Sequence, residues 1–221
     1  MAYRKLNADE RLALENNGCR CENWDEIEVA SPFRPEHYRN TCFAGKVKLG
    51  TTEGTIMRDG CIPMHPGVYD AMIHNCEIGD DVLINRIGNY ISGYRIGDRA
   101  VIENTACIAM TGESTFGNGV EVSVLNETEV PIYDCLSAHV AYIIAMYRHD
   151  KELVKNLRGL IDAYVDKHRS STGTIAEDVT IINAGTIKDV YIGPSATIEG
   201  VKSLKNGSIM SEPADPVRVG H

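Results

Sequence analysis

The sequence predicts a mainly β protein that folds as a parallel β-helix. Aliphatic residues recur every six positions over residues 76–108, each with a second residue, in most cases small, two positions ahead of it. The same spacing returns over residues 173–210, and residues 76–108 leave no room for helices between strands. A period of six fits neither a helix, with about 3.6 residues per turn, nor a long open strand. It fits short strands separated by turns, and hexapeptide repeats are a signature of parallel β-helices.

The two rows of the first series predict which side chains point inward. Residues two apart in a strand face the same side, so each repeat sends one small and one large side chain into the interior. Tyr90 takes one place in the aliphatic row. The aliphatic row is Ile78, Ile84, Tyr90, Ile96, Ile102 and Ile108, and the other row is Cys76, Val82, Gly88, Tyr94, Ala100 and Ala106.

The second series predicts a similar interior after a break. A slip of one residue separates its two halves. Its aliphatic row is Ile175, Ile181, Ile187, Ile192, Ile198, Leu204 and Met210.

The segments that leave the repeat are expected to form helices and loops. Asn7 and Glu10 form a candidate capping box for a helix that Asn17 and Gly18 end. Apolar residues at helical spacing over 130–170, with Asp150 as a candidate N-cap, predict two helices. We expect one continuous domain with four segments: a helical cap (1–40), a first β-helix part (41–129), a helical hairpin insert (130–171) and a second β-helix part (172–221).

The stretches beside the regular repeats are less uniform. Over residues 51–67, Ile56, Ile62 and Val68 keep the six-residue interval, but prolines and glycines indicate loops that leave a corner. After Ile108 we expect another loop, followed by a coil edge at Phe116, Val120 and Val122.

Composition limits the partners. The net charge of −9 argues against non-specific nucleic-acid binding, which depends on basic surface. No apolar run is long enough for a transmembrane helix, and the first residues lack the apolar core of a signal peptide. The seven scattered cysteines suit a reducing compartment. We therefore expect a cytoplasmic protein that binds neither nucleic acid nor membrane.

The repeats, and YIGPSATIEG above all, resemble the hexapeptide-repeat, acyltransferase-like family of left-handed parallel β-helices. The resemblance implies left-handed coils of three hexapeptides and a homo-oligomer, with a trimer favoured. It also implies transfer of an acyl group from acetyl-CoA or another acyl-CoA to a hydroxyl or amine of a sugar or other small molecule. The helical insert resembles a longer uncharacterised bacterial β-helix family, of which this chain would be an N-terminal piece.

Acyl transfer needs a base for the acceptor's proton, and histidine is suited to that role. His74 and His65 are the candidate catalytic residues, because both fall in the β-helix part. Asn75, Asn85 and Glu127 are the candidate substrate-binding residues, and no metal is expected.

Two other classes remain open. The chain could be a non-catalytic structural or oligomerisation domain associated with sugar-nucleotide metabolism; no glycine-rich phosphate loop is present. It could also be a trimer that binds zinc at its interfaces and hydrates carbon dioxide, which requires three converging histidines. Whether the chain is an enzyme is thus undecided by its sequence.

Overall fold

The computed structural model of the chain describes residues 3–58, 60–125 and 128–220. Short strands dominate this part, so the prediction of a mainly β chain is confirmed. The α-helices of the described residues are α1 (Ala8–Asn16), α2 (Ala138–Met146) and α3 (Lys151–His168). None of the helices seen there is long and apolar enough to cross a membrane.

The strands are mostly three residues long, as the six-residue period requires. In chain order they are β1 (Arg4–Lys5), β2 (Arg20–Cys21), β3 (Ile27–Val29), β4 (Tyr38–Arg39), β5 (Cys42–Ala44), β6 (Val47–Leu49), β7 (Ile56–Arg58), β8 (Ile62–Met64), β9 (Gly67–Tyr69), β10 (Met72–His74), β11 (Glu77–Ile78), β12 (Leu83–Ser92), β13 (Tyr94–Ile96), β14 (Val101–Ala109), β15 (Glu121–Leu125), β16 (Thr128–Pro131), β17 (Gly173–Ile175), β18 (Thr180–Ile182), β19 (Thr186–Ile192), β20 (Thr197–Glu199), β21 (Ser203–Ile209) and β22 (Arg218–Gly220).

A single curled sheet contains 18 of these strands. The strands β7 and β8 pair only with each other, as do β15 and β16, and both pairs are antiparallel. The large sheet is mixed. Its strand β1 runs antiparallel to β3, while the other strand pairs of this sheet, such as β3 with β6, are parallel. A left-handed parallel β-helix therefore stays a prediction.

Parallel pairing stacks like residues in register. One ladder runs through Val68, Ile84, Ile102, Ile181 and Ile198, all of which are buried. The step from Ile102 to Ile181 passes over the helical segment, so the chain leaves the sheet and returns to the same ladder.

The central prediction about the interior is confirmed. Ile78, Ile84, Ile96, Ile102 and Ile108 are all at most 3% exposed. These side chains belong to one continuous core that also contains most of the second series. Stacked aliphatic rows therefore hold the sheet together, since burying each such side chain contributes roughly 1.5–3 kcal/mol.

The inward places predicted for Tyr90, Gly88 and Ala106 are wrong. Tyr90 is 37% exposed, and Gly88 and Ala106 are exposed as well. The pairing of β12 with β14 shifts register between Ile87 and Tyr90, where β12 has one extra residue. This β-bulge moves Ile91 into the interior in place of Tyr90, because one added residue turns the next side chain to the other face.

The last inward position predicted in the second series is also wrong. Met210 is 53% exposed, and Ile209 pairs with the buried Ile192 instead. The five-residue step from Ile187 to Ile192 recurs from Leu204 to Ile209, because β19 and β21 pair in register over both intervals.

Two irregular stretches fold away from the large sheet rather than as coils. Ile56 and Ile62 lie on the β7–β8 hairpin, and Ile62 is 52% exposed. The coil edge expected at Val120 and Val122 is wrong as well, because Val122 lies on the β15–β16 hairpin and both valines are more than 40% exposed. Phe116 alone of that predicted edge is buried.

The predicted helix ends are confirmed. Asn7 Oδ1 accepts from the Glu10 backbone N–H at 2.8 Å, and the Asn7 backbone N–H donates to Glu10 Oε2 at 3.0 Å. Gly18 follows the helix with a φ of +79°, which suits glycine. Asp150 Oδ1 accepts from the Leu153 backbone N–H at 3.0 Å at the start of α3.

A second, smaller core lies between the helices α2 and α3 and the strand β16. Its buried members are Val130, Ile144, Ala145, Ile161 and Val165, separate from the main core. The inserted helices therefore bury their apolar stripes on each other and on their own hairpin.

Candidate functional site

A cleft lies where the end of α3 meets the outer face of β17, β19 and β21. Ile175, Ile192 and Ile209 pair in register and point toward the core. The residue before each of them faces outward, because side chains alternate along a strand. Thr174, Tyr191 and Ser208 thus form the cleft floor.

One wall is the loop that holds Phe116. Phe116 is only 7% exposed, and its ring centroid lies 6.4 Å from that of Tyr191. Ser208 Oγ donates to the Phe116 carbonyl at 2.9 Å, and the Gly117 N–H donates to Asn206 Oδ1 at 2.9 Å. The loop is therefore bonded directly to β21, and a flat aromatic surface lines the cleft.

The opposite wall is the last turn of α3, which contributes Tyr164 and His168. Their rings stack with centroids 4.0 Å apart and planes 24° apart. His168 Nδ1 lies 2.8 Å from the Tyr164 carbonyl oxygen. A carbonyl oxygen can only accept, so Nδ1 carries the proton in the neutral ring and Nε2 keeps its lone pair. Nε2 makes no hydrogen bond to any residue that the structure describes.

Asp134 supplies a carboxylate to the same wall, and Asn118 positions it. Asn118 is 3% exposed; its Nδ2 donates to Asp134 Oδ2 at 3.1 Å and to the Thr115 carbonyl at 2.8 Å. The Asp134 backbone N–H donates in turn to Asn118 Oδ1 at 2.8 Å. This buried amide fixes both the backbone and the carboxylate of Asp134.

Tyr164 adds a hydroxyl whose proton is held firmly. Burial first, then the interaction with the Cys135 sulfur and the nearby Asp134 carboxylate, raise the pKa of Tyr164. Its hydroxyl donates to Asp134 Oδ2 at 3.5 Å, a long contact that leaves it able to turn to another acceptor. At neutral pH Tyr164 is thus a hydrogen-bond donor and not a base.

The cleft has two adjoining parts. The first has a volume of about 250 Å³ and contains Tyr164, His168 and Tyr191. The second, of about 390 Å³, lies beside it on the Asn206 side. The parts share Phe116, Asn118, Asp134, Ser208 and Met210. Two small groups can therefore bind next to each other, with Asp134 in contact with both.

The sequence candidates lie elsewhere. His74 is half-buried on the outside of β10, with Nδ1 2.8 Å from Ser92 Oγ and Nε2 3.0 Å from Asn75 Nδ2. Asn75 has a φ of +49°, and its Oδ1 accepts from the Lys46 N–H. The structure brings these two residues together, but both ring nitrogens of His74 are occupied by neighbouring side chains, and His74 lines neither part of the cleft.

The other candidates are dispersed. His65 is exposed and stacks on His37, with centroids 5.6 Å apart. Asn85 donates to Glu103 Oε1 at 3.1 Å on the β12–β14 ladder. Glu127 lies outside the described residues. Within those residues, no group of three or more His, Cys, Asp or Glu side chains is arranged to hold a metal ion.

Sequence reasoning missed His168, Asp134, Tyr164 and Asn118. The loop around Phe116 and the two helices were both recognisable in the sequence. The contact of this loop and α3 over β19 and β21 could not be recognised, because those strands come later in the chain. Only strand pairing brings them beside the insert.

Comparison with known proteins gives a family without an assigned role. Residues 3–221 match the model of a family described as Domain of unknown function (DUF4954). An uncharacterized protein of Treponema pallidum (strain Nichols) is 27% identical over 234 residues, which cover 99% of this chain and 32% of that protein. The chain thus spans about a third of the length of this curated relative. No solved structure matches.

These findings correct the resemblance inferred from the repeats. The matching family is not the hexapeptide-repeat, acyltransferase-like family, and the large sheet is mixed. The six-residue spacing indicated short stacked strands correctly, but stacked strands of that length are not confined to one family.

Proposed function

We infer a function from the cleft of this chain, which belongs to the family described as Domain of unknown function (DUF4954). We propose that the chain transfers an acyl group from a thioester, such as acetyl-CoA or another acyl-CoA, to a small acceptor with a hydroxyl or amine. His168 is the general base. The observation that carries the proposal is the 2.8 Å contact of His168 Nδ1 with the Tyr164 carbonyl oxygen, which in the neutral ring leaves Nε2 to accept a proton in the cleft.

In the proposed reaction, Nε2 of His168 takes the proton from the acceptor hydroxyl or amine as its oxygen or nitrogen attacks the thioester carbonyl. The carbon–sulfur bond then breaks, and the thiolate leaves and takes the proton back from the imidazolium. The acylated acceptor and a free thiol are the products. Tyr164, whose raised pKa keeps its hydroxyl protonated, can donate to the oxyanion that forms in between.

Three features of the cleft support two bound substrates. The adjoining parts provide space for a donor and an acceptor side by side. The Phe116 and Tyr191 rings offer flat apolar contact, which suits the face of a sugar or another small ring. The hydroxyls of Thr172, Thr174 and Ser208 can position a polar acceptor.

The proposal extends to the finer fold and setting. We propose that the curled sheet is a left-handed parallel β-helix. The in-register ladders support this, and so do non-glycine residues with positive φ that recur along the chain, among them Asn104 and Asn183, whose side chains are hydrogen-bonded to each other. The free cysteines support a reducing, cytoplasmic setting.

The test measures release of free CoA by chromatography from acetyl-CoA with a panel of sugars and amines. His168→Gln should lower the rate by about 10²–10⁴-fold, the usual contribution of a general base. His139→Gln is the matched control, because His139 is exposed on α2 and does not line the cleft. A His168→Gln protein as fast as the wild type, or a wild type that neither binds nor turns over acetyl-CoA, contradicts the proposal.

A second candidate is a non-catalytic oligomerisation domain, as a homotrimer or other homo-oligomer. Exposed apolar side chains on the inserted helices favour it, since burying them needs a partner. They are Tyr142, Met146, Tyr147, Leu153 and Leu160, with Leu160 70% exposed. Light scattering on the purified chain tests this: Leu160→Glu should dissociate an oligomer that uses this face, and a monomeric wild type excludes it.

A further inference from the structure

A carboxylate lies buried on the outer side of the large sheet, away from the cleft. Glu103 is on β14, and its residue is only 3% exposed. Its register partners on either side are Asn85 of β12 and Ile182 of β18. Ile181 and Ile102, one residue back, face the core, so Glu103 points outward and needs something outside the sheet to cover it.

The β7–β8 hairpin contributes the group that faces this carboxylate. Arg58 Nη1 lies 2.7 Å from Glu103 Oε2, and the Arg58 side chain is 39% exposed while that of Glu103 is 4% exposed. The hairpin pairs only with itself and not with the large sheet. Hydrogen bonds to Asp80 and Asp81 hold its base at Thr51 and Gly54.

The carboxylate is only partly satisfied. Asn85 Nδ2 donates to Oε1 at 3.1 Å. Oε2 has the Arg58 charge beside it but accepts no aligned hydrogen bond from the residues that the structure describes. A buried carboxylate keeps its charge at tolerable cost only next to a cation that also donates hydrogen bonds. Oε2 therefore has accepting capacity left for a better-placed donor.

We propose that Glu103 and Asn85 form a binding site for a guanidinium or primary ammonium group of a small ligand, and that Arg58 closes this site from the hairpin. The ligand cation takes the place of the Arg58 guanidinium and donates to Oε2. No strand pairing among the described residues of the hairpin joins it to the sheet, so it can move aside when the Arg58–Glu103 pair separates. The site is independent of the proposed acyl transfer, since neither Glu103 nor Asn85 lines the cleft.

The test uses methylguanidinium and methylammonium as probes and methylurea as an uncharged probe of similar size. Removing Arg58 opens the site, so Arg58→Ala should bind methylguanidinium at least about tenfold more tightly than the wild type, which must first release the hairpin. Binding is read as a saturable rise in the melting temperature of Arg58→Ala protein. Methylurea should give no rise.

Two further measurements separate this site from general salt effects. The double variant Arg58→Ala, Glu103→Gln should lose the response to both cations, because the charge that attracts them is gone. In the wild type, methylguanidinium should speed amide hydrogen exchange across the β7–β8 hairpin without changing exchange in β14. Equal responses of the single and double variants, or a wild-type hairpin that exchanges no faster with the cation present, overturn the proposal.

Discussion

Ile102 and Ile181 are register partners on neighbouring strands, although the segment 110–172 and the strand β17 lie between those strands in the chain. The segment begins and ends at the same place, because Ser114 and Ser170 form an antiparallel bridge with two hydrogen bonds of 2.9 Å. Its buried core is separate from that of the sheet. The register of the large sheet thus continues across the insert without a break, although the loop at Phe116 also bonds to β21.

We therefore expect that residues 115–169 can be deleted without loss of the sheet. A short glycine-serine linker from Ser114 to Ser170 spans the bridge. The shortened protein should keep a cooperative thermal transition and the β-type circular dichroism spectrum, and it should lose acetyl-CoA turnover together with His168. An unfolded product would show that the sheet depends on the insert.

Charge in the stacked interior should be destructive where charge on the neighbouring outer face is not. Ile102→Asp places an unpaired carboxylate among buried isoleucines. We expect the free energy of unfolding to fall by more than roughly 4 kcal/mol, which is enough to unfold many domains. Tyr90→Asp is the control, because Tyr90 is exposed beside the bulge and should cost far less. Urea denaturation measures both, and similar midpoints would contradict the assignment of the two faces.

The Asn118 side-chain amide should contribute to the stability of the loop that holds Asp134. Asn118→Ala leaves the Asp134 N–H without a partner, at about 1–3 kcal/mol for a buried unsatisfied group, whereas the Thr115 carbonyl keeps the hydrogen bond from the backbone N–H of residue 118. We expect faster hydrogen exchange around Asp134 and a lower rate of acyl transfer. Asn89→Ala, at an exposed site, should change neither.

The buried Cys76 thiol should contribute to stability in a pH-dependent way. Burial raises the pKa of Cys76 from its ordinary value of 9.0 to about 11. The folded state therefore holds this proton more tightly, so the stabilisation is complete below about pH 9 and is lost as the pH rises toward 11. Cys76→Ala should flatten the fall in melting temperature across this window; an unchanged slope would count against the shift.

The same shift predicts slow alkylation of Cys76. At pH 8 its thiolate fraction is about a hundredfold below that of an ordinary thiol, because each pKa unit is a factor of ten. Iodoacetamide, followed by mass spectrometry, should modify the exposed Cys42 long before Cys76. Equal rates at the two positions would contradict the buried placement.

The sequence was sufficient for the interior wherever the repeat was regular. Ile78 and Ile102 could be assigned because a large and a small side chain alternate at fixed spacing, and packing in a narrow core enforces that spacing. The exposure of Tyr90 and Met210 could not be predicted, since a one-residue change in the spacing of inward-facing residues becomes visible only in how the strand pairs with its neighbour. A bulge is a property of pairing, and pairing partners lie some eighteen residues apart or, across the insert, about eighty.

The cleft was harder to predict for a related reason. His74 stood out because it falls in the β-helix part and has Asn75 beside it, yet Ser92 and Asn75 occupy both of its ring nitrogens. His168 had no distinguishing context in the sequence, where it reads as a basic residue at the end of a helix. What makes it a candidate is the contact of that helix end with β19 and β21, a long-range arrangement.

The five-residue step shared by β19 and β21 has a consequence for how such a sheet can change. Each strand acts as a template for the one laid on it, so a step of unusual length must be copied by its neighbour or be absorbed by a bulge. A single deletion in β19 would therefore be repaired best by a matching deletion in β21. Insertions and deletions in related sequences should thus appear in pairs, in strands that lie next to each other in the sheet. Evolutionary change in the sheet would then be visible in the spacing of the inward-facing residues as well as in their identities.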